Sequence, residues 1–367
     1  MMAEILLTFG EVMGRIEPGD PKMRFAQALP GGLKMTFAGA ESNVAADYCL
    51  LGGSSKYVTS MPDNPITQAY LSQMRGIGVD VSKVVFSKEG RFGLFFLEPG
   101  TNQRPSKITY DRSGSSIAVL GPEAYNWDSI FEGVDRLHIS GITPAISENA
   151  AKTSVVIVSE AFQRNVKVSV DLNFRGKLWN WRPGTGAREL AREVMAEIVK
   201  YADIIIGNEE DAFDVLGLKA GDSDAGKGKL DIERYPEVAR LIGEKYPNCR
   251  KVAFTLRQSI SADHNNWGAM LWVKEGDVTA FGPLSDGVYC PIQIRNIVDR
   301  VGGGDSFAAA LLFALQDEKL GKDPHDSIAF AVAASCLCHT IKGDINYISR
   351  EEAESLMKGN ASGRVSR

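Results

Sequence analysis

The sequence predicts an α/β fold: a doubly wound, mostly parallel sheet flanked by helices, with a small β-sheet standing off it as a lid. Two observations carry this expectation. Short, strongly apolar runs recur along the chain with helix-period segments between them, the pattern of strands buried on both faces. Two stretches in the amino-terminal third break that rhythm.

The expected strands are Ile5–Phe9, Lys56–Thr59, Arg136–Ile139, Val166–Val170, Asp203–Ile206 and Lys251–Thr255. Helical periodicity marks Ser154–Arg164, Ala187–Tyr201 and Ile232–Tyr246, and later Asp305–Gln316 and Asp326–Ile341. The first irregular stretch, Gly14–Phe37, is rich in Gly, Pro and Met and carries no helical period. The second pairs two short strand-like runs, Arg91–Glu98 and Ser106–Arg112, across a polar turn at Pro99–Pro105. Segments of about 14–37 and 91–112 are therefore expected to build the lid, inserted in one domain over residues 1–358. A small, polar tail, Gly359–Arg367, is expected to fray.

Composition narrows the class of function. The chain has 367 residues, 44% hydrophobic and 24% charged, long enough to bury a large core. Its formal charge is −5 with both signs spread evenly, so neither a nucleic-acid surface nor whole-molecule attraction of an anion is expected. An anionic substrate would need a few local arginines. Five scattered cysteines without a CxxC pair, and only four histidines, argue against zinc and for a reducing compartment. The start MMAEILLTFGE does not have the form of a signal peptide, and no apolar run reaches membrane-spanning length. A cytoplasmic location without membrane partners is the expectation.

The most informative segment is Val298–Phe307, in which Gly302, Gly303 and Gly304 lead directly into the apolar helix that Asp305 opens. Glycines let backbone approach a ligand closely, and the free amides of a helix start hold anions. Such a turn can stabilise a phosphoryl group in transfer. An aspartate there, kept ionised by the positive end of the helix, can accept a hydroxyl proton. The pattern read locally serves equally well as a helix cap with a tight turn.

Asp299–Asp305 resembles the carboxy-terminal signature of the ribokinase-like (phosphofructokinase-B type) carbohydrate kinases, D-T-x-G-A-G-D, with Arg300 and Gly303 in place of Thr and Ala. Gly39-Ala40-Glu41-Ser42-Asn43, followed by VAADYCLLGG, resembles their amino-terminal signature, with Ala38 where a second glycine is common. Gly10-Glu11, the YDRSGSS segment with Tyr110 and Arg112, Asp171-Leu172-Asn173-Phe174-Arg175 and the run HTIKGDINYIS resemble the 2-keto-3-deoxygluconate kinases within that family.

The resemblance implies a ribokinase-like fold and transfer of phosphate from ATP, with Mg²⁺ and in some members a monovalent cation, to a sugar acid. It implies Asp305 as base, Gly302–Gly304 as the anion site, and Gly39, Asn43, Phe95, Tyr110, Arg112, Asp171 and Arg175 around the substrate. Arg175 and Arg112 can hold a carboxylate in bidentate fashion, or each can pair with a neighbouring acid such as Asp171 or Asp111. Related enzymes often carry tyrosine where Phe95 stands, so one polar contact is missing.

On the nucleotide side, Asn208-Glu209-Glu210-Asp211 resembles the family's N-x-x-E element, with Asp211 a candidate Mg²⁺ partner and Asn173 and Asn208 beside it. Thr255-Leu256-Arg257 resembles a nucleotide loop, T-L-G-x-x-G, with Arg257 replacing glycine and SISADHNN lengthening the loop. Ala331–His339 is expected to line the base, and Cys336 and Cys338 to pack in the core. The resemblance also implies a homodimer formed through the lids. A kinase for a neutral ketose and a non-catalytic sugar or nucleotide sensor stay open, whereas a dinucleotide fold lacks its G-x-G-x-x-G after the first strand.

Overall fold

The structure, a computed structural model, describes residues 4–219, 232 and 234–360. Of the expected tail, residues 361–367 lie outside the described residues.

Alternation along the strands builds two cores. On Ile5–Phe9, Leu6 turns to one face of the sheet and Leu7 and Phe9 to the other; on Ile204–Gly207, Ile205 opposes Ile204 and Ile206. One face packs against helices Glu148–Gln163, Ala187–Val199 and Tyr235–Lys245. The other packs against Ala40–Leu50, Gly303–Gln316 and Pro324–Cys338. Helices on both faces make the sheet doubly wound, as expected.

Among the described residues the sheet has nine strands. It runs parallel from Ser54–Val58 through Ile5–Phe9, Arg136–Ser140, Lys167–Asp171 and Ile204–Gly207 to Lys251–Ser261. It then turns antiparallel through His264–Val273, which pairs with both Val278–Gly282 and Ile292–Arg295. Strand order reverses at Ile5–Phe9, whose two neighbours follow it in the chain on opposite sides. Open α/β sheets bind ligands at the carboxyl edge beside such a reversal.

The sequence misplaces one element. The expected nucleotide loop after Thr255 is a long hairpin, Lys251–Ser261 against His264–Val273, with a register shift at Ser259/Ser261. Without the expected glycine, Arg257 continues as strand and pairs with Trp267.

The irregular amino-terminal stretches form the separate small sheet, ordered Leu33–Ala38, Met13–Pro18, Gly93–Glu98, Lys107–Asp111. A four-residue helix, Phe25–Ala28, interrupts the stretch expected to be without helix. A buried charge cluster ties this sheet to the body. Arg15, fully buried, donates to Asp344 at 2.5 Å and to Asp299 at 2.5 Å, with Glu17 at 3.0 Å. Lys342 reaches Glu17 at 2.6 Å and Asp299 at 3.1 Å. Although burial acts upward, Arg15 and Lys342 hold the Asp299 carboxyl below the usual range.

Removing one partner of such a cluster strands the others without water. An Arg15→Met protein is expected to lose about 3–5 kcal/mol of stability, read as a lower midpoint in a urea titration.

Candidate active site

The carboxyl edge of the sheet and the small sheet enclose a cavity of about 1140 Å³. The residues expected at the site line it, except along Ala331–His339, where His339 alone does so and Ala331, Val332, Ala334 and Cys336 pack in the core. Phe95 and Tyr110 lie on the small sheet with Arg112 just after it, Gly39 and Asn43 open the helix Ala40–Leu50, and Asp171 ends the strand Lys167–Asp171 with Asn173 and Arg175 after it. Asn208 and Asp211 follow Ile204–Gly207, Thr255 and Arg257 lie on the hairpin, and Gly302–Asp305 close the floor.

The floor is shaped by glycine. Gly302 caps its helix at φ 89°, and a side chain there would meet the Asp344 carbonyl at 2.3 Å. The first α-helical bond runs from the Ser306 amide to the Gly302 carbonyl at 2.8 Å, so the amides of Gly303 to Asp305 precede it. Gly39 is equally constrained, because a side chain would sit 2.2 Å from the Glu11 carbonyl.

Above the floor, the Asn43 side-chain amide donates to the Asp305 carboxylate at 2.7 Å. Asn43 lies inside the helix Ala40–Leu50, and its side chain divides its two ends: the oxygen accepts from the Gly39 amide at 3.4 Å and the amide holds Asp305. Asp305 is not simply kept ionised by its helix. Burial pushes its carboxyl up to about 7, opposed by the Asn43 bond, reinforced by Asp344 and Glu41, and opposed again by Arg175. The low-dielectric surroundings outweigh the helix terminus. A group poised near neutrality suits a base that takes a proton during turnover and later returns it.

Activity that needs unprotonated Asp305 is thus expected to fall about tenfold per unit as pH drops below about 7. Asn43→Ala removes a bond that favours the ionised form, so the acid limb of a kcat/KM profile should move to higher pH. A limb unmoved by that change would separate Asn43 from the base.

The cationic residues divide into two kinds. Arg112 is buried and its Nε donates to Glu11 at 2.6 Å, with a second, closer contact through Nη2. Its acid partner is therefore Glu11 and not Asp111, which pairs instead with Arg91. The Arg112 guanidinium also lies 5.5 Å from the Tyr110 ring. Arg175 is exposed to the cavity, and its hydrogen bond goes to the Phe174 carbonyl at 3.2 Å. Among the described residues it has no ion pair.

Phe95 packs with Met13, Ala38 and Leu97, so its ring closes the apolar base of the small sheet. Burial and then Asp211 push Asp171 well above the usual carboxylate range. Burial also raises Asp211 to about 6, against the pull of Arg175. Asp211 accepts from the Phe174 amide at 3.1 Å, and the Asn208 side chain accepts from the Asp211 amide at 2.8 Å. Asn208 thus spends its oxygen on a local cap. Thr255 bonds the Gly207 carbonyl at 3.5 Å, and the Asn173 amide bonds Asp171 at 3.2 Å.

Three carboxylates escaped assignment in the sequence although they sit in its motifs. Glu11 partners Arg112, and Asp344 raises Asp305 and anchors Arg15. Glu41 is wholly buried, accepting from Ser140 and Thr143. Their presence in Gly10-Glu11, Gly39–Asn43 and HTIKGDINYIS was the available signal. Cys336 and Cys338 are buried with thiols pushed up by burial, in keeping with core packing.

An aspartate over a glycine-made anion site, with cations converging at the carboxyl edge of a ribokinase-like sheet, defines a phosphotransferase acting on an alcohol group. The chain belongs to the pfkB family of carbohydrate kinases, which it matches over residues 4–235 and 269–351. It is 28% identical to the 2-dehydro-3-deoxygalactonokinase of Haloferax volcanii, with 99% of each chain covered. It is 26% identical to the 2-dehydro-3-deoxygluconokinase of Thermoproteus tenax, covering 93% of each. The solved 2-dehydro-3-deoxygluconokinase of Thermotoga maritima shares the fold with a TM-score of 0.86 at 37% identity, covering 97% of this chain and 99% of that one.

Proposed function

We propose that this kinase transfers the γ-phosphoryl group of ATP to the primary hydroxyl of 2-keto-3-deoxygluconate (2-dehydro-3-deoxygluconate). The observation that carries the reading is Asp305, held by Asn43 over the glycine floor in the same cavity as Arg175, which has no ion pair among the described residues. The names of three relatives with near-complete coverage point to the same substrate class.

In this reading Asp305 accepts the hydroxyl proton as the oxygen attacks phosphorus, and the amides from Gly303 to Asp305 stabilise the transferred group. Arg175 takes the substrate carboxylate, and Arg112, steadied by Glu11, flanks it with Tyr110. Gly39 and Asn43 offer the sugar backbone and amide contacts, while Phe95 supplies an apolar wall. Asp171 orients Asn173 and shares the field of Arg175.

Mg²⁺ fits the donor side. Asp211 adds to the burial that raises Asp171, a crowding of negative charge that a divalent cation relieves. Mg²⁺ ordinarily takes one or two carboxylates, several waters and the nucleotide phosphates, so no cage of three acidic ligands is needed; among the described residues there is none. Bound there, the ion would neutralise charge on the triphosphate. Asn173, Asn208, Thr255 and Arg257 border the nucleotide.

The small sheet acts as a lid that excludes water, a competing acceptor. Leu33 and Met35 remain exposed on it, and a second copy would cover them. No helix among the described residues is long and apolar enough to cross a membrane. We place the reaction in the cytoplasm, where ATP is supplied.

A neutral-ketose kinase is the second reading, favoured by one observation: Arg112 already has an acid partner, which leaves Arg175 to hold a carboxylate alone. Product analysis separates the two. After incubation with MgATP and 2-keto-3-deoxygluconate, mass spectrometry should find one added phosphate and ³¹P–¹H coupling should place it on the terminal CH₂. Phosphate on a secondary hydroxyl, or none beside ready phosphorylation of fructose, would reject the assignment.

A further inference from the structure

Arg257 and Arg300 stand where the family signatures carry glycine and threonine, and the fold brings both into the cavity. Arg257 projects from the hairpin strand Lys251–Ser261, which lies in the interval between the two stretches matched to the family. Arg300 comes two residues before the glycine floor. Arg175 faces the same space.

These cations differ from the other arginines near the site. Arg15 has three acidic partners and Arg112 has Glu11. Among the described residues, neither the Arg257 nor the Arg300 guanidinium has an ion pair or a hydrogen bond. Burial, then Arg300 and Arg175, lower the proton affinity of Arg257, with Glu210 and Asp211 acting less strongly the other way. Like charges gathered on a cavity wall repel one another until an anion enters between them.

Contacts around His339 place both arginines beside the glycine floor. A side chain at Gly303 would meet the His339 ring at 2.7 Å, and that ring meets Trp267 edge to face at 4.9 Å. Trp267 is the strand partner of Arg257, and the amide of Val298, two residues before Arg300, donates to the His339 carbonyl at 2.9 Å. A polyphosphate with its terminal group on the Gly302–Gly304 floor would meet both guanidiniums on that wall.

We propose that Arg257 and Arg300 form a two-pronged guanidinium clamp on the nucleotide polyphosphate, gripping the oxygens that depart with ADP. The clamp rests on ATP as the donor and adds the residues that hold its leaving group. In transfer the sugar oxygen bonds to the γ-phosphorus and its proton passes to Asp305. The bond from that phosphorus to the β–γ bridging oxygen breaks, and its electron pair leaves with ADP. Charge grows on the leaving oxygens, where guanidiniums stabilise it.

Calorimetric titration of ADP, AMP and adenosine into the native chain and the R257M, R300M and R257K variants tests the clamp. Each methionine variant should bind ADP about ten- to a hundredfold more weakly, with adenosine unchanged, AMP shifted less than ADP, and R257K recovering part of the loss. KM for ATP should rise while KM for the acceptor and the melting temperature stay put. Unchanged ADP affinity, equal weakening of ADP and adenosine, or a rise confined to the acceptor KM would each overturn it. ADP binding needs no acceptor. A native chain that binds ADP yet ignores the sugar acid rejects the substrate assignment and leaves the clamp standing. A native chain that does not bind ADP removes both.

Discussion

Asp305→Asn is expected to lower kcat by about 10²–10⁴-fold while ATP binds as it does to the native chain. The change is nearly isosteric. The new side chain can still accept from the Asn43 amide, now 2.7 Å from the carboxylate, and the glycine floor is untouched. What disappears is the site for the proton. The loss should show in kcat with KM for ATP little moved, because the nucleotide is held by the floor amides and the arginines. The acid limb near pH 7 should vanish from the residual activity, since the group that produces it is gone. Near-native turnover would remove Asp305 from the chemistry.

Arg175→Met should raise KM for 2-keto-3-deoxygluconate by about a hundredfold and leave a neutral ketose almost unaffected. A charge-assisted contact to a carboxylate contributes about 1.5–3 kcal/mol, and the desolvated acid left without a partner adds to the loss. Arg175 also lowers Asp305, Asp171 and Asp211. Its removal should therefore move the acid limb to higher pH. Measuring at pH 8.5 as well as at pH 7 separates the two effects: the KM rise persists at high pH, whereas a loss due only to protonation of the base recovers. Equal effects on sugar acid and ketose would assign Arg175 to the transferred phosphoryl group.

Much of this was readable from residues alone. The strands at Ile5–Phe9 and Arg136–Ser140 stand out because they are buried on both faces, and the glycine floor because glycines before an apolar helix have few other uses. The site residues were found through motifs at strand and helix ends, where local order fixes position. Long-range pairing was not readable in the same way. Arg112 looked ready for Asp111 beside it, yet it lies just past the strand Lys107–Asp111 and turns toward Glu11, 101 positions away. Arg15 lies 284 positions from Asp299, and no local pattern marks either as half of a pair. The hairpin after Thr255 was read as a loop because its polar residues, Gln258 and Ser259, are exposed although paired in the sheet, so alternation carries no burial signal there. The raised Asp305 depends on burial and on Asp344 and Glu41 arriving from distant segments. Proximity to a helix start pointed the other way.

The central claim is that the pocket selects a sugar acid for phosphorylation by ATP, and release of ADP tests it most directly. With MgATP, the native chain should turn over 2-keto-3-deoxygluconate strongly and its galacto epimer to some degree, with fructose, ribose and adenosine near background. Fast turnover of a neutral sugar with no response to the keto-deoxy acids would contradict the claim.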